Sequence, residues 1–184
     1  MRVVGGRLGG RTLAAPKSET IRPTADRLRE ALFNILIHGY GDPVSSARVL
    51  DLFAGTGALG IEALSRGAAF TLFVDDGAEA RALLRENVTT LGLGGTSRIF
   101  RRDATKLGPV HPLEPFTLVF LDPPYGQHLA EKALASARAG GWFTPDALIV
   151  VEEATKANFS APDGFAESER RRYDDTEFIF LRTS

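Results

Sequence analysis

The chain is predicted to fold as an α/β protein, with a mostly parallel seven-stranded sheet, helices on both faces and a small N-terminal hairpin arm. Three observations carry that expectation. From Ala47 onward, short apolar runs alternate with longer stretches of helical spacing. The first of these runs enters a glycine turn that leads directly into a helix. The final segment, Arg170 to Arg182, departs from the alternation with two strand-like runs around Asp174-Asp175, which reads as a closing hairpin.

The elements follow in order. Gly5-Gly6 and Gly9-Gly10 lie between Arg2-Val3-Val4 and Arg11-Thr12-Leu13, and this spacing predicts the glycine-rich hairpin. Ala25 to Ile37 reads as a helix with Leu28, Leu32, Ile35 and Leu36 on one stripe, and Thr24 is its expected N-cap. Strands are expected near 47–52, 70–75, 97–102, 116–121 and 146–152, and helices near 58–66, 77–91 and 126–138. Gly67 is placed to end the helix that starts at Ala58. With no repeat and no low-complexity linker, the 184 residues form one domain, residues 1–20 being the basic arm and 21–184 the core.

Composition narrows the functional classes. Cysteine is absent, which excludes disulfides and thiolate metal sites, and His38, His111 and His128 lack metal-ligand spacing; no metal is expected. No run approaches the roughly 20 apolar residues of a membrane span, and no apolar stretch follows the N-terminal arginines, so a cytoplasmic protein is expected. The net charge of −1 hides an asymmetry: residues 1–30 carry +4 and the remainder −5. With Arg101-Arg102 and Arg170-Arg171-Arg172, that distribution suits a protein that meets nucleic-acid phosphate with one surface.

Two motifs carry chemistry. The first is Val49-Leu50-Asp51-Leu52-Phe53-Ala54-Gly55-Thr56-Gly57-Ala58-Leu59-Gly60, a strand, a glycine turn and a helix start. Glycines let backbone approach a ligand, and free N–H groups at a helix start favour polar or anionic atoms. Gly55-x-Gly57-x-x-Gly60 also satisfies the dinucleotide fingerprint, with Asp75 where a ribose-binding acid belongs. A nucleoside cofactor follows, with two candidates open. The second motif is Asp122-Pro123-Pro124-Tyr125, at the end of the apolar run 116–121. An acid, a rigid turn with free carbonyls and an exposed ring can grip the exocyclic amine of a planar base and stack on its face.

Asp51 separates the cofactor candidates. A carboxylate just before the glycine turn repels phosphates but suits the positively charged amino-acid end of S-adenosyl-L-methionine. Asp51, the glycine turn, Asp75 and the Asp-Pro-Pro-Tyr segment stand in the order and spacing of Rossmann-like class I methyltransferases. The acids Asp51, Asp75, Asp103 and Asp122 are all expected at the carboxyl ends of strands, where an open α/β sheet binds its ligand.

A closer resemblance covers nearly the whole chain. The arm Arg2-x-x-Gly5-Gly6 to Gly10-Arg11-x-Leu13, the stretch Ile21-Arg22-Pro23-Thr24-Ala25-Asp26-Arg27-Leu28-Arg29-Glu30-Ala31-Leu32, the glycine motif followed by Glu62-Ala63-Leu64-Ser65-Arg66-Gly67, and Asp122-Pro123-Pro124-Tyr125 together resemble the bacterial small-subunit rRNA methyltransferase D family. Two positions depart from the family pattern: Asp174 stands where glycine is usual, and Asp75 where glutamate is more common.

The resemblance implies an S-adenosylmethionine-dependent enzyme that methylates the exocyclic N2 of a guanine in 16S rRNA. Its substrate would be the small ribosomal subunit or an assembly intermediate. Independently of the resemblance, the chain is expected to be a monomer. Asp51 with Phe53, Ala54, Gly55, Thr56 and Gly57 should hold the methionine end of the cofactor. Asp75 should accept from the ribose, Asp103 with Ala104 should lie by the adenine, and Arg22 and Thr24 should close over the methionine carboxylate. Asp122 and the Pro123 carbonyl should accept from the guanine amine, Pro124 should stiffen the turn, and Tyr125 should stack on the base. Arg2, Arg7, Arg11, Arg27 and Arg29 should meet RNA phosphates. The alternatives are an adenine-N6 methyltransferase of DNA or RNA, a nicotinamide oxidoreductase, and a non-catalytic RNA-binding assembly factor.

Overall fold

The computed structural model describes residues 1–16 and 25–184. The expected Thr24 cap and the proposed cofactor contacts of Arg22 and Thr24 lie outside the described residues. Helix α1 (Asp26–Gly39) starts from Ala25, which is extended and offers no side-chain cap. There follow β1 (Arg48–Leu52), α2 (Ala58–Ser65), β2 (Phe70–Val74), α3 (Ala78–Thr90), β3 (Ser97–Phe100), β4 (Phe116–Leu121), α4 (Leu129–Ala139), β5 (Phe143–Ala154), β6 (Phe165–Tyr173) and β7 (Thr176–Thr183).

The seven strands form one sheet in the order β3-β2-β1-β4-β5-β7-β6. The first five run parallel, and β7 enters antiparallel between β5 and β6. That insertion departs from the order 3-2-1-4-5-6 of the dinucleotide-binding sheet and removes the nicotinamide reading. Sequence neighbours alternate between the two sheet faces, as the period of two requires. Val49, Leu118 and Phe120 pack under α1 with Leu32, Phe33 and Leu36. Leu50, Val119 and Leu121 face the other way, onto Ala130, Ala133, Leu134 and Ala137 of α4.

Helix α2 ends as the placement of Gly67 predicted. Gly67 has φ +108°, its N–H donates to the Leu64 carbonyl (3.2 Å), and the Ala68 N–H reaches back to Ala63 (3.0 Å). These two bonds satisfy carbonyls that the helix end would orphan. At the far end of the sheet, Asp174 takes φ +57° in the β6–β7 turn. A glycine adopts that conformation freely, and aspartate is among the few other residues that tolerate it.

The arm closes as the expected hairpin, with an antiparallel bridge of Arg2 with Thr12. The Val3 N–H donates to the Arg11 carbonyl and the Leu13 N–H to the Met1 carbonyl, each at 2.9 Å. Four further donors of the arm go to α2. The Val4 and Gly5 N–H groups bind Glu62 (2.9 and 2.8 Å), Arg7 N–H binds the Ser65 carbonyl (2.9 Å), and Leu8 N–H binds the Ser65 hydroxyl (2.9 Å). Val3, Leu8 and Leu13 are buried with Ile61, Leu64 and Leu84, so the arm shares a core with α2 and α3.

Candidate active site

The site lies where the sheet order reverses. On one side of β1 stands β2, on the other β4, so the loops after β1 and β4 leave neighbouring strand ends in opposite directions. Open α/β sheets hold their ligands in the crevice this creates. Leu52 pairs with Leu121, and the Asp122 N–H points to the Leu52 carbonyl at 3.4 Å. The glycine turn and the Asp122–Tyr125 turn therefore begin side by side.

The glycine turn is bent through left-handed backbone at Phe53 (φ +59°), Gly55 (φ +60°) and Gly57 (φ +84°). At Gly57 a side chain is excluded twice over, by that φ and by Leu84 Cδ1, 2.3 Å from where a Cβ would stand. Three contacts hold the turn to its surroundings. Gly55 N–H donates to Asp75 Oδ2 (2.9 Å), Ala54 N–H to the Val74 carbonyl (3.1 Å), and the Thr56 carbonyl accepts from Asn87 Nδ2 (2.9 Å). The same Asn87 accepts the Ala14 N–H through Oδ1 (2.7 Å), which joins the arm to the cofactor turn.

Asp75 follows β2 and is half-buried, with its second oxygen accepting the Gly77 N–H at 2.8 Å. Asp103 accepts both the N–H (2.8 Å) and the hydroxyl (2.7 Å) of Thr105, and these bonds hold its carboxyl below the usual range. Ala104 is buried behind it. Asp122 is half-buried, Pro123 buried, Pro124 exposed and Tyr125 half-buried. The turn thus offers an acid and a ring near the surface over a rigid base.

Asp51 lies deeper than the other three acids. Its carboxyl lies beneath the glycine turn, 1% exposed, with Oδ2 accepting the Gly60 N–H at 3.0 Å. Gly60 is small for this reason: a Cβ there would stand 2.4 Å from the Phe73 ring and 3.0 Å from Asp51. The inward turn comes from the strand's alternation, which sends Asp51 to the face of Val49 while Leu50 and Leu52 face α4. In this structure Asp51 holds the turn and α2 together.

Burial pushes the Asp51 carboxyl well above the ordinary aspartate range, with Asp75 adding to the rise and the Gly60 N–H opposing it. The folded protein therefore keeps this proton at pH values where the unfolded chain has lost it. The contribution of Asp51 to stability thus falls as pH rises from the ordinary aspartate range through the raised value. Asp51→Asn keeps an acceptor for Gly60 and removes the charge. Urea titrations from acid to neutral pH should show a shallower fall for the variant, and at neutral pH at least the parent's stability. A variant with the parent's slope would assign that dependence to another group.

Arg29 corrects the expected phosphate contacts. It is fully buried, 2.7 Å from Asp26 and 3.5 Å from Glu62, and it donates to the Arg2 carbonyl. It braces the arm from within. Arg2, Arg7, Arg11 and Arg27 are exposed, Arg27 with 85% of its side chain in solvent beside an equally exposed Asp174 at 4.0 Å. The alternation of these cations with buried Val3, Leu8 and Leu13 turns the arm's charge outward.

One group of residues escaped the sequence reading. The Tyr125 hydroxyl donates to Glu152 Oε2 (2.9 Å) and lies 3.0 Å from the Thr176 hydroxyl, and the Gly126 N–H donates to Glu153 Oε1 (3.1 Å). Glu152 and Glu153 are each 1% exposed. A signal existed: two consecutive acids close the apolar run 147–151, the same strand-end position as the acids that were recognised.

A sheet with an antiparallel seventh strand inserted beside the fifth, with a glycine turn and an Asp-Pro-Pro-Tyr turn at its central switch point, defines a class I methyltransferase. The family model described as "Conserved hypothetical protein 95" matches residues 1–182. Ribosomal RNA small subunit methyltransferase D of Escherichia coli K12 is 40% identical over 153 residues, which span 83% of this chain and 74% of that protein. The Haemophilus influenzae protein of the same name is 34% identical over 167 residues, 90% of this chain and 84% of that one. The solved structure of yhhF from Escherichia coli superposes with a TM-score of 0.84 at 31% identity, covering 100% of this chain and 98% of that chain. The chain belongs to the ribosomal RNA small subunit methyltransferase D family.

Proposed function

We propose that this enzyme methylates the exocyclic N2 of a guanine in 16S rRNA, within the small ribosomal subunit or an assembly intermediate, using S-adenosyl-L-methionine. The observation that carries the reading is the adjacency of the two turns, joined at Leu52 and Asp122. A cofactor in the first and a base in the second would meet at the shared strand ends. The names of the relatives support the RNA substrate.

The crevice fits the cofactor through a bare glycine turn for close backbone approach, with Asp75 and Asp103 at the next two strand ends for the ribose and adenine. The cofactor, when bound, supplies a methyl group activated by sulfonium charge. The Ala54–Gly57 turn orients the amino-acid end, and Asp51 holds that turn through Gly60. Asp122 and the Pro123 carbonyl accept the two N2 hydrogens, which draws the amine from planarity and restores a lone pair at nitrogen. Tyr125 stacks on the base once it leaves its RNA context. Alignment of two bound reactants can remove roughly 7–11 kcal/mol of barrier, so no strong base is needed before attack. The alkylated nitrogen is acidic and gives its proton to Asp122 or water.

The test is transfer of labelled methyl to small subunits that lack the modification, followed by nucleoside analysis. Label in N2-methylguanosine supports the reading, label in N6-methyladenosine moves the target to adenine, and no label on any RNA sinks it. The exposed cations make a separate prediction. Alanine at Arg2, Arg7 or Arg11 should each reduce the slope of log affinity against log salt by about 0.7–0.9. Filter binding across a salt series measures it, and unchanged slopes would move the RNA surface away from the arm.

A further inference from the structure

We propose that Tyr125, Glu152, Glu153 and Thr176 form a latch that sets the position of the target-base turn, with Glu152, Glu153 and Thr176 acting as positioning residues. The inference rests on the reading of Asp122–Tyr125 as the turn that holds the base. Pro123 and Pro124 stiffen only the front of that turn, where their rings fix φ. Behind them the chain loses that restraint. Gly126 (φ +74°) and His128 (φ +56°) are left-handed, and α4 begins at Leu129 without a side-chain cap. The backbone alone does not fix where the Tyr125 ring stands.

Side chains from the neighbouring strands do. A phenol hydroxyl has one proton. Tyr125 gives it to Glu152 Oε2 at 2.9 Å, so at 3.0 Å the Thr176 hydroxyl must be the donor to the Tyr125 oxygen. The result is a directed chain, Thr176 to Tyr125 to Glu152, that ties the far end of the ring to the sheet. One residue on, Glu153 Oε1 takes the Gly126 N–H at 3.1 Å while also accepting the Ala154 N–H at 2.8 Å. The anchors are rigid. Glu152 and Glu153 lie just before the end of β5, Thr176 opens β7, and Ala154 pairs with Thr176 in the ladder between them. Burying such groups is costly without full hydrogen bonding, and a satisfied network of this kind specifies one geometry.

The test uses Tyr125→Phe, which keeps the ring and removes only the hydroxyl, with Thr176→Val and Thr176→Ser as a pair. Amide hydrogen exchange at Gly126, followed without any substrate, should accelerate in Tyr125→Phe and Thr176→Val and stay at the parental rate in Thr176→Ser. In methyl transfer, the first two should lose about 10- to 100-fold in kcat. KM for the cofactor should not change, and Thr176→Ser should restore kcat. Parental exchange and parental kcat in Tyr125→Phe would overturn the latch. So would a loss of kcat accompanied by equal losses of thermal midpoint and cofactor binding, because that pattern marks general support of the fold. If the parent protein methylates no RNA, the functional reading fails, and exchange at Gly126 still decides the latch.

Discussion

Replacing Asp122 by alanine is expected to lower kcat on the order of 10²–10³-fold while leaving affinity for RNA nearly unchanged. Asp122 begins the turn beside the cofactor loop, and its N–H is joined to Leu52 of the neighbouring strand. Its carboxylate is the one charged acceptor in the Asp-Pro-Pro-Tyr motif that can take a hydrogen from the amine and stabilise positive charge as nitrogen is alkylated. Loss of an oriented acceptor at a developing charge removes about 2.7–4 kcal/mol of transition-state stabilisation. On the proposed function, RNA affinity rests on phosphate contacts of the arm's exposed cations, which the substitution leaves untouched. Asp122→Asn retains one carbonyl acceptor without the charge and should fall between parent and alanine. Single-turnover transfer and filter binding, measured on the same preparations, separate the two effects. A variant that binds poorly and turns over normally would make Asp122 part of the RNA surface instead.

The largest loss of stability is expected from Glu62→Ala. Glu62 is fully buried in α2 and accepts three donors, Val4 N–H (2.9 Å), Gly5 N–H (2.8 Å) and Arg66 Nε (2.8 Å), while its Oε1 lies 3.5 Å from Arg29 Nε in an ion pair. Arg29 is itself fully buried, so truncating Glu62 strips a buried cation of an acid paired with it and orphans two arm N–H groups. Breaking one side of a buried pair costs about 3–5 kcal/mol. That is a large part of the 5–15 kcal/mol that ordinarily holds a domain folded. Glu62→Gln keeps the acceptor and should lose less. Urea unfolding gives the free energies, and limited proteolysis reads release of the arm. A loss under about 1 kcal/mol would mean that this network behaves like an exposed ion pair.

Much of the fold was readable because its signals are local. An apolar run ending in Asp122-Pro123-Pro124 reads as a strand that stops, and β4 does stop at Leu121. Gly67 after a helical stripe predicts a left-handed helix end, and φ +108° is found there. The arm's hairpin was readable too, because its glycines satisfy the local rule for one, and Arg2 does bridge Thr12. Its attachment was not: the Gly5 and Leu8 N–H groups are claimed by Glu62 and Ser65, each 57 residues away in the chain, and no local pattern contains that contact.

The candidate site divides along the same line. Gly55, Gly57, Asp75 and Asp122 were placed at strand ends and turns by type and spacing, and the structure has them there, with Gly55 and Gly57 left-handed. Spacing does not reveal depth. Asp51 and Arg29 both lie inside, Asp51 bonded to the Gly60 N–H and Arg29 to Asp26 and the Arg2 carbonyl, and their charge alone did not tell how deep they sit. Glu152, Glu153 and Thr176 reach Tyr125 from strands β5 and β7, brought there only when the sheet inserts β7 beside β5.

By itself, then, the amino-acid sequence determined the order of strands and helices, the two turns and the chemistry each can perform. These follow from periodicity, backbone freedom and functional groups that are properties of short segments. Only the tertiary structure decided which charges face solvent and which brace the core, how the arm is held, and what fixes the Tyr125 ring. Those outcomes depend on which distant donor and acceptor meet once the sheet has closed, because a buried polar group takes whatever partner packing brings within hydrogen-bond reach.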